Sequence, residues 1–281
     1  MKNYITTCVL FCMLAFTTQL QAQNCCTGGD WPALALNTDF GAAHLPPEPF
    51  NYKPAERSKM ITFNTLDAQK PGRAFYVPSD AQATGVLLIF HEWWGLNEYI
   101  MQEAEKWQKM LGTVDVYAVD LYDGAVATDA KTAGKLADGL DEKRAETIIK
   151  AVLMQAGKDK RVATLGWCMG GSWSFKATML AGNNATGCVM YYGFPEKEEK
   201  NIRDLQTDVV YIWASQDKFI TKNDVGEFQK AVEATQHKFY WHTYTAEHAF
   251  ANPSNPKHDK LAAAQADQEA LKFLKGKFQI E

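Results

Sequence analysis

The sequence predicts an α/β fold built on a mainly parallel sheet with helices on both faces. Short apolar runs alternate along the chain with longer stretches whose apolar residues recur at helical spacing. One of these runs, Val86-Leu-Leu-Ile-Phe90, is apolar throughout, as expected of a strand buried on both faces of a parallel sheet. No linker separates two such patterns, and therefore residues 59–281 are predicted to form a single domain.

The individual elements follow from local patterns in the chain. The predicted strands are 60–64, 73–77, 86–90, 114–119, 161–167, 187–192, 209–214 and 239–244. The predicted helices are 96–111, 127–138, 142–156, 173–181, 225–232 and 259–275. The first two strands are joined across the turn signal Lys70-Pro-Gly72. Asp141 is a candidate cap for the third helix and Gly157 a candidate stop.

Composition and charge are those of an ordinary globular protein. Of the 281 residues, 46% are hydrophobic, which is enough to form a sizeable core. The formal net charge of −4 provides no basic surface for nucleic acid. The partner expected from these features is a small molecule, and a monomer is favoured.

The first residues resemble a secretory signal. Residues 1–23 contain one early lysine, a short apolar run and a polar end, and the apolar run is too short for a confident membrane span. We expect cleavage near Ala22 or Gln23 and export of the mature chain. Lipid anchoring on Cys25 or Cys26 and a buried N-terminal helix are the alternatives.

Residues 24–58 are rich in proline, glycine and asparagine and show little periodicity. This composition predicts an extended lead-in without a fold of its own. In an oxidising compartment Cys25 and Cys26 would favour disulfides, with partners that the sequence does not assign. No cysteine–histidine spacing is typical of a zinc site, and we expect neither a metal nor an organic cofactor.

Cys168 lies at the centre of a pattern typical of a nucleophile elbow. It follows the predicted strand 161–167 and precedes the predicted helix 173–181, with Gly166 and Gly170 two residues to either side. A strained turn of this kind needs small flanking residues. The N-terminus of the following helix is expected to favour the thiolate. The alternative reading is a buried structural cysteine beside a tight turn.

Two further polar segments follow predicted strands. Asp217 comes after strand 209–214, and His248 comes after strand 239–244. Ligands of open α/β sheets bind beyond the carboxyl ends of the strands. Nucleophile, acid and histidine occur in the chain order of an α/β-hydrolase. His248 would take the proton of the Cys168 thiol, and Asp217 would orient the imidazole.

Five segments together carry a family resemblance. They are His91-Glu-Trp-Trp-Gly-Leu-Asn97, Asp120-Leu-Tyr122, Gly166-Trp-Cys-Met-Gly-Gly171, Ala214-Ser-Gln-Asp217 and Glu247-His-Ala-Phe250. From roughly Met60 to the C-terminus, the chain resembles the dienelactone hydrolase family (carboxymethylenebutenolidase-like), cysteine-nucleophile members of the α/β-hydrolase fold.

The resemblance implies a role for each motif. It assigns Cys168, Asp217 and His248 to a catalytic triad, and Glu92 to the carboxylate that interacts with the resting thiol and gives way when substrate enters. A carboxylate beside a thiol disfavours the thiolate, which agrees with that role. Alternatively, Glu92 is a surface acid leading into a helix.

The resemblance also implies an oxyanion hole and a substrate pocket. The oxyanion donors would be the backbone N–H groups of Trp93 and Met169. Nearby aromatic residues suggest an apolar pocket, although Trp167 would serve equally well in the core. The pocket candidates are Trp94, Tyr122, Trp167 and Phe250.

Two positions depart from the family pattern. Family members that act on dienelactone carry arginines that grip the substrate carboxylate, and here the corresponding residues are Gly124 and Asn252. Neither residue replaces a bidentate guanidinium. The anionic lactone is therefore not the expected substrate.

The sequence thus predicts an exported hydrolase that cleaves a carboxylic ester or lactone through a thioester on Cys168. A thioesterase or acyl transferase with the same triad is the alternative within enzymes. A non-catalytic binding protein on the same fold is a different class. A thiol-redox protein is another, because Cys168 and Cys188 could both be free thiols.

Overall fold

A computed structural model describes residues 37–49, 51–67 and 70–281. The proposed signal peptide, Cys25 and Cys26 lie outside the described residues. The described chain forms an eight-stranded sheet in the order β1-β2-β4-β3-β5-β6-β7-β8. The strands are β1 Lys59–Phe63, β2 Gly72–Val77, β3 Gly85–Phe90, β4 Val114–Val119, β5 Val162–Trp167, β6 Ala185–Tyr191, β7 Val209–Ala214 and β8 Phe239–Tyr244. The helices are α1 Thr38–Ala43, α2 Glu98–Leu111, α3 Ala130–Asp138, α4 Glu142–Ala156, α5 Met169–Ala181, α6 Lys222–Ala234 and α7 Lys260–Phe278.

The sheet is parallel from β4 to β8. β1 pairs antiparallel with β2, and β2 pairs antiparallel with β4. Every residue of β3, β5 and β7 is buried, which requires cover on both faces of the sheet. Helix α4 packs on α5, and α2 packs on α7, giving two separate helical groups. The predicted mainly parallel α/β sheet is confirmed.

The helix after Cys168 begins earlier than predicted. We expected it near residue 173, whereas α5 begins at Met169 and contains Gly170 and Gly171 in its first turn. Glycine lowers helix propensity, which hid the start in the sequence. A Cβ on Gly170 would lie 2.2 Å from the carbonyl oxygen of Phe90, and a Cβ on Gly171 would lie 2.8 Å from the Cα of Gly193. Close packing against neighbouring backbone therefore requires these two glycines.

The lead-in is not extended throughout. It contains the six-residue helix α1, and the side chain of Asn37 accepts hydrogen bonds from the N–H groups of Asp39 and Phe40 at its start. The ring of Phe40 is fully buried and His44, just after the helix, is 4% exposed. Burial of these two rings holds the short helix in place. A six-residue helix has too few turns to produce a recognisable apolar periodicity in the sequence.

No helix within the described ranges is both long enough and apolar enough to cross a membrane.

Candidate active site

Cys168 occupies the tight turn between β5 and α5. Its backbone lies in an unusual region, with φ 56° and ψ −121°, where a residue with a side chain is strained. Its N–H donates to the carbonyl oxygen of Tyr191 at 3.0 Å. A Cβ on Gly166 would lie 2.0 Å from the carbonyl oxygen of Gly170. The flanking glycines therefore allow the chain to turn sharply and present the thiol at the carboxyl edge of the sheet.

The three residues of the expected triad lie in contact. The Cys168 Sγ lies 3.2 Å from Nε2 of His248, and Nδ1 of His248 lies 2.6 Å from Oδ2 of Asp217. The other carboxylate oxygen of Asp217 accepts from the N–H groups of Phe219 and Ile220 at 2.8 and 3.1 Å. Because the carboxylate only accepts, Nδ1 of His248 is the donor, which leaves its Nε2 lone pair facing the thiol.

The electrostatics favour an ionised aspartate and a neutral thiol. Burial raises the pKa of Asp217, but its contact with His248 and its two backbone hydrogen bonds outweigh burial and hold that pKa below its usual range. Burial, and then the nearby Glu92 carboxyl, raise the pKa of Cys168 well above its usual value, and a backbone hydrogen bond with Met169 offsets this only in part. The expected thiolate at the helix N-terminus is thus not the favoured resting form. Activation requires a base, and His248 is in contact.

Glu92 is buried beside this group and does not make a hydrogen bond to the thiol. The amide of Asn252 donates to Oε2 of Glu92, while Oε1 has no hydrogen-bond partner among the described residues. Burial raises the pKa of Glu92 to about 8. The carboxyl is therefore neutral at physiological pH and acts on Cys168 electrostatically when it ionises.

This raised pKa predicts a pH-dependent stability for Glu92→Gln. The pKa of Glu92 is about 8 in the native state, compared with 4.5 for an unperturbed glutamate. Below pH 4.5 the carboxyl is protonated in both the native and the unfolded state. Between pH 4.5 and 8 it is protonated in the native state only. Rising pH in that window therefore destabilises the wild type, by up to about 1.4 kcal/mol per unit. We expect the variant to gain stability relative to the wild type from pH 5 to pH 8 in urea unfolding. The exposed Glu56→Gln is the control, and parallel pH profiles for wild type and Glu92→Gln would contradict the prediction.

The two expected oxyanion donors come from separate parts of the chain, the start of α5 and the loop after β3. Met169 is the first residue of α5, and its Sδ accepts from the hydroxyl of Tyr122 at 3.2 Å. Trp93 lies in the loop after β3 with a fully buried side chain, and its N–H makes no backbone hydrogen bond within the described ranges. Its N–H is therefore available to a ligand.

The family match now decides the identity of this fold. Residues 73–278 match the model described as "Dienelactone hydrolase family". This segment spans the sheet from β2 onward and contains all three triad positions. The chain belongs to the dienelactone hydrolase family. The expected enzyme class, a carboxylic ester hydrolase, is confirmed by this membership.

Relatives of this family member include a protein of Aquifex aeolicus (strain VF5) called "Putative carboxymethylenebutenolidase". It is 25% identical over 213 residues, which cover 71% of this chain and 91% of the relative. "Protein usf" of Aquifex pyrophilus is 26% identical over 155 residues, covering 52% of this chain and 67% of the relative. Both similarities extend over most of the relative's length.

Solved structures share the fold at lower identity. A dienelactone hydrolase-like promiscuous phosphotriesterase from metagenomic libraries superposes with a TM-score of 0.67 at 16% identity, covering 78% of this chain and 98% of that one. A thermophilic esterase of Thermogutta terrifontis superposes with a TM-score of 0.58 at 12% identity, covering 79% and 92%. At these identities the likeness concerns the α/β-hydrolase fold alone.

The expected pocket residues of this dienelactone hydrolase family member lie at two neighbouring clefts and in the core beside them. Trp167 lines one shallow cleft and Trp94 lines the other, and Glu92 and Asn252 line both. Tyr122 packs against His91. The ring of Phe250 is 1% exposed and packs against Tyr192 and Tyr244. Cys168 lines neither cleft and is 1% exposed, and Glu92 and Asn252 therefore lie between the thiol's surroundings and the open clefts.

The two positions without the family's arginines are occupied differently. Asn252 is buried and donates to Glu92 instead of facing a substrate anion. Gly124 has φ 99°, and a Cβ there would lie 2.1 Å from Nη1 of Arg73. Arg73 in turn pairs with Asp120 at 3.7 Å. A guanidinium is therefore present near Gly124, but the buried Asp120 carboxylate already engages it.

Four aromatic rings that the sequence did not predict at the site lie around His248. The ring centroids of Tyr192, His44, Phe40 and Phe219 lie 5.1, 5.2, 5.7 and 6.0 Å from that of His248. Tyr192 and Phe219 follow β6 and β7, and so the strand-end rule could have found them. Phe40 and His44 come from the lead-in, which offered no comparable signal.

Proposed function

We propose that this family member is an exported hydrolase that cleaves a carboxylic ester or lactone through an acyl-thioester on Cys168. The observation that carries the proposal is the contact series from Sγ of Cys168 through His248 to Asp217, at 3.2 and 2.6 Å. Thiol, base and orienting acid in hydrogen-bond reach are the requirement for nucleophilic acyl transfer.

The proposed reaction uses His248 first as base and then as acid. Sγ attacks the ester carbonyl carbon while Nε2 of His248 takes the thiol proton. The resulting oxyanion is held by the N–H groups of Trp93 and Met169. When the tetrahedral intermediate collapses, the C–O bond breaks and the departing alcohol oxygen takes the proton from His248. Water then attacks the thioester, and the carboxylic acid and the thiol are released.

The geometry supports a neutral acyl group as substrate. The rings around His248 and the buried Trp93 form apolar walls. Gly124 and Asn252 replace the family's two arginines, and the one guanidinium near Gly124, that of Arg73, already pairs with Asp120. A substrate carboxylate beside Cys168 would further disfavour the thiolate that attacks, because like charges repel. We therefore favour an uncharged ester or lactone over the anionic dienelactone.

The test is a stopped reaction with an activated aryl ester, followed by intact mass. The wild type should gain one acyl group that is lost with water, and Cys168→Ala should gain none. Cys188→Ala is the matched control, because Cys188 is a second buried free thiol away from the site and should leave the adduct unchanged. No adduct and no turnover over a range of acyl sizes would contradict the proposal.

The same experiment separates the alternatives. Faster turnover of an aryl thioester than of its oxygen ester would favour a thioesterase, and transfer to an added alcohol would favour an acyl transferase. A reversible sulfenic acid on Cys168 without any acyl adduct would favour the thiol-redox alternative. If nothing reacts, a binding protein on this fold would be the alternative that remains.

The proposed export rests on the signal-like pattern of residues 1–23. The intact mass of protein recovered from outside the cytoplasm should correspond to a chain that begins near Gln23 or Asn24. A full-length mass confined to the cytoplasm would contradict export, and an added lipid mass would favour anchoring.

A further inference from the structure

Two buried histidines and one thiol converge at the catalytic site. One ring nitrogen of His44, one ring nitrogen of His248 and the Sγ of Cys168 all lie within 4.8 Å of one another. All three residues are buried, with 4%, 6% and 1% exposure. They come from three distant chain segments, so no cysteine–histidine spacing reveals the cluster in the sequence.

His44 holds an unused lone pair beside the site. Its Nδ1 lies 2.7 Å from the carbonyl oxygen of Phe40, and a carbonyl only accepts, so Nδ1 carries the proton. Nε2 of the neutral ring is then an acceptor. It is buried and has no hydrogen-bond partner among the described residues. The triad makes no use of this atom, and a buried acceptor without a partner calls for an explanation.

His248 is held in the same tautomer. Its Nδ1 donates to Asp217 and its Nε2 lone pair faces Cys168. Histidines that bind metals in proteins typically donate the far ring N–H to a carboxylate or a backbone carbonyl, which fixes the ring and increases its basicity. The Asp217 carboxylate is this partner for His248, and the backbone carbonyl of Phe40 is the partner for His44.

We propose that His44, Cys168 and His248 form a binding site for Zn²⁺ that reversibly blocks the nucleophile. Two imidazole nitrogens and a thiolate form a donor set that zinc favours, with the fourth position open to water. Zinc binding breaks the S–H bond and forms the Zn–S bond, and the proton leaves to solvent. No electron is transferred.

The separations suit a tetrahedral ion after a small adjustment. Zn–N and Zn–S bonds of about 2.0 and 2.3 Å place ligand atoms about 3.3–3.6 Å apart. Sγ of Cys168 and Nε2 of His248 already lie 3.2 Å apart. No separation in the cluster exceeds 4.8 Å, so none needs to shorten by more than about 1.5 Å to reach these values. His44 follows directly after the short helix α1, so its ring can shift without moving the sheet.

The charges around the cluster also suit a cation. The carboxyl groups of Glu92 and Asp217 both act electrostatically on Cys168. A dication balances the charges of one thiolate and of the Asp217 carboxylate that contacts His248. Bound zinc would occupy both the Sγ lone pair that attacks a carbonyl and the Nε2 lone pair that accepts the proton. Hydrolysis would stop until a chelator removed the ion.

The proposal is tested by titration with Zn²⁺ or Co²⁺ alone, without substrate, so its outcome does not depend on the proposed hydrolysis. The wild type should bind one equivalent, and Co²⁺ should give a near-ultraviolet thiolate-to-cobalt band. Cys168→Ala should lose that band. His44→Ala and the bulkier His44→Gln should each bind zinc at least tenfold more weakly, with the fold checked by circular dichroism.

His242→Ala is the matched control, because His242 lies on β8 outside the cluster and should leave zinc affinity unchanged. Inhibition of each variant is measured against its own rate without metal, and a chelator should restore that rate. Unchanged affinity in both folded His44 variants would overturn the proposal, and so would the absence of one-to-one binding in the wild type.

Discussion

Asp217→Asn is expected to lower kcat/KM for an activated ester by about 10⁴-fold while the protein stays folded, by analogy with removal of the orienting carboxylate from other triads. In the proposed mechanism Asp217 acts through His248, whose Nδ1 lies 2.6 Å away, and does not touch the substrate. An amide in its place can donate to Nδ1, which would favour the tautomer with a proton on Nε2. That tautomer cannot accept the proton of a thiol whose pKa burial already raises.

The measurement is a pH–rate profile of the variant beside the wild type. Asp208→Asn is the matched control, because Asp208 also lies beside a histidine, His237 at 3.7 Å, but outside the site. The control should retain the wild-type rate. We expect Asp217→Asn to recover partly at high pH, where hydroxide generates the thiolate without the base. A loss of less than tenfold at neutral pH would exclude Asp217 from the triad.

Gly170→Ala is expected to destabilise the fold by about 3 kcal/mol, in the range of severe overpacking. A Cβ at this position would lie 2.2 Å from the carbonyl oxygen of Phe90 and 2.5 Å from that of His91, and backbone atoms cannot move aside as a flexible side chain can. These contacts join α5 to the end of β3. The methyl group would therefore push the helix away from the sheet at the turn that holds Cys168.

The check is urea unfolding of Gly170→Ala and of Gly226→Ala. Gly226 lies inside α6, and a Cβ there would meet no atom within 4 Å. That control should gain up to about 1 kcal/mol from improved helix propensity. Equal and small effects in the two variants would show that the elbow tolerates a side chain.

The strand-end placement of the triad could be predicted from the sequence because parallel strands bring their carboxyl ends to one edge. Cys168 follows β5, Asp217 follows β7 and His248 follows β8; in the sheet β6 lies between β5 and β7, and β8 is next to β7. Continuous apolar runs marked the strands clearly. The contacts among the three side chains depend on tertiary packing, and their distances could not be predicted from the sequence.

The missed features depend on tertiary contacts that local patterns do not carry. Helix α1 is too short to be stable alone and forms against Trp93 and His248 through Phe40 and His44. The sequence shows that Asn252 is not arginine, but not that its amide turns back to Glu92. The direction of the Cys168 pKa likewise depends on burial, which outweighs the favourable helix terminus.

His44 and Phe40 lie in the part of the chain that precedes the family segment. Both rings precede residues 73–278, the segment that matches the family. A polypeptide trimmed to that segment would keep Cys168, Asp217 and His248 but would lose the rings that pack on His248 and Trp93. The proposed triad and two of the four rings around His248, Tyr192 and Phe219, thus lie within the family segment, whereas the chain before that segment provides the other two rings.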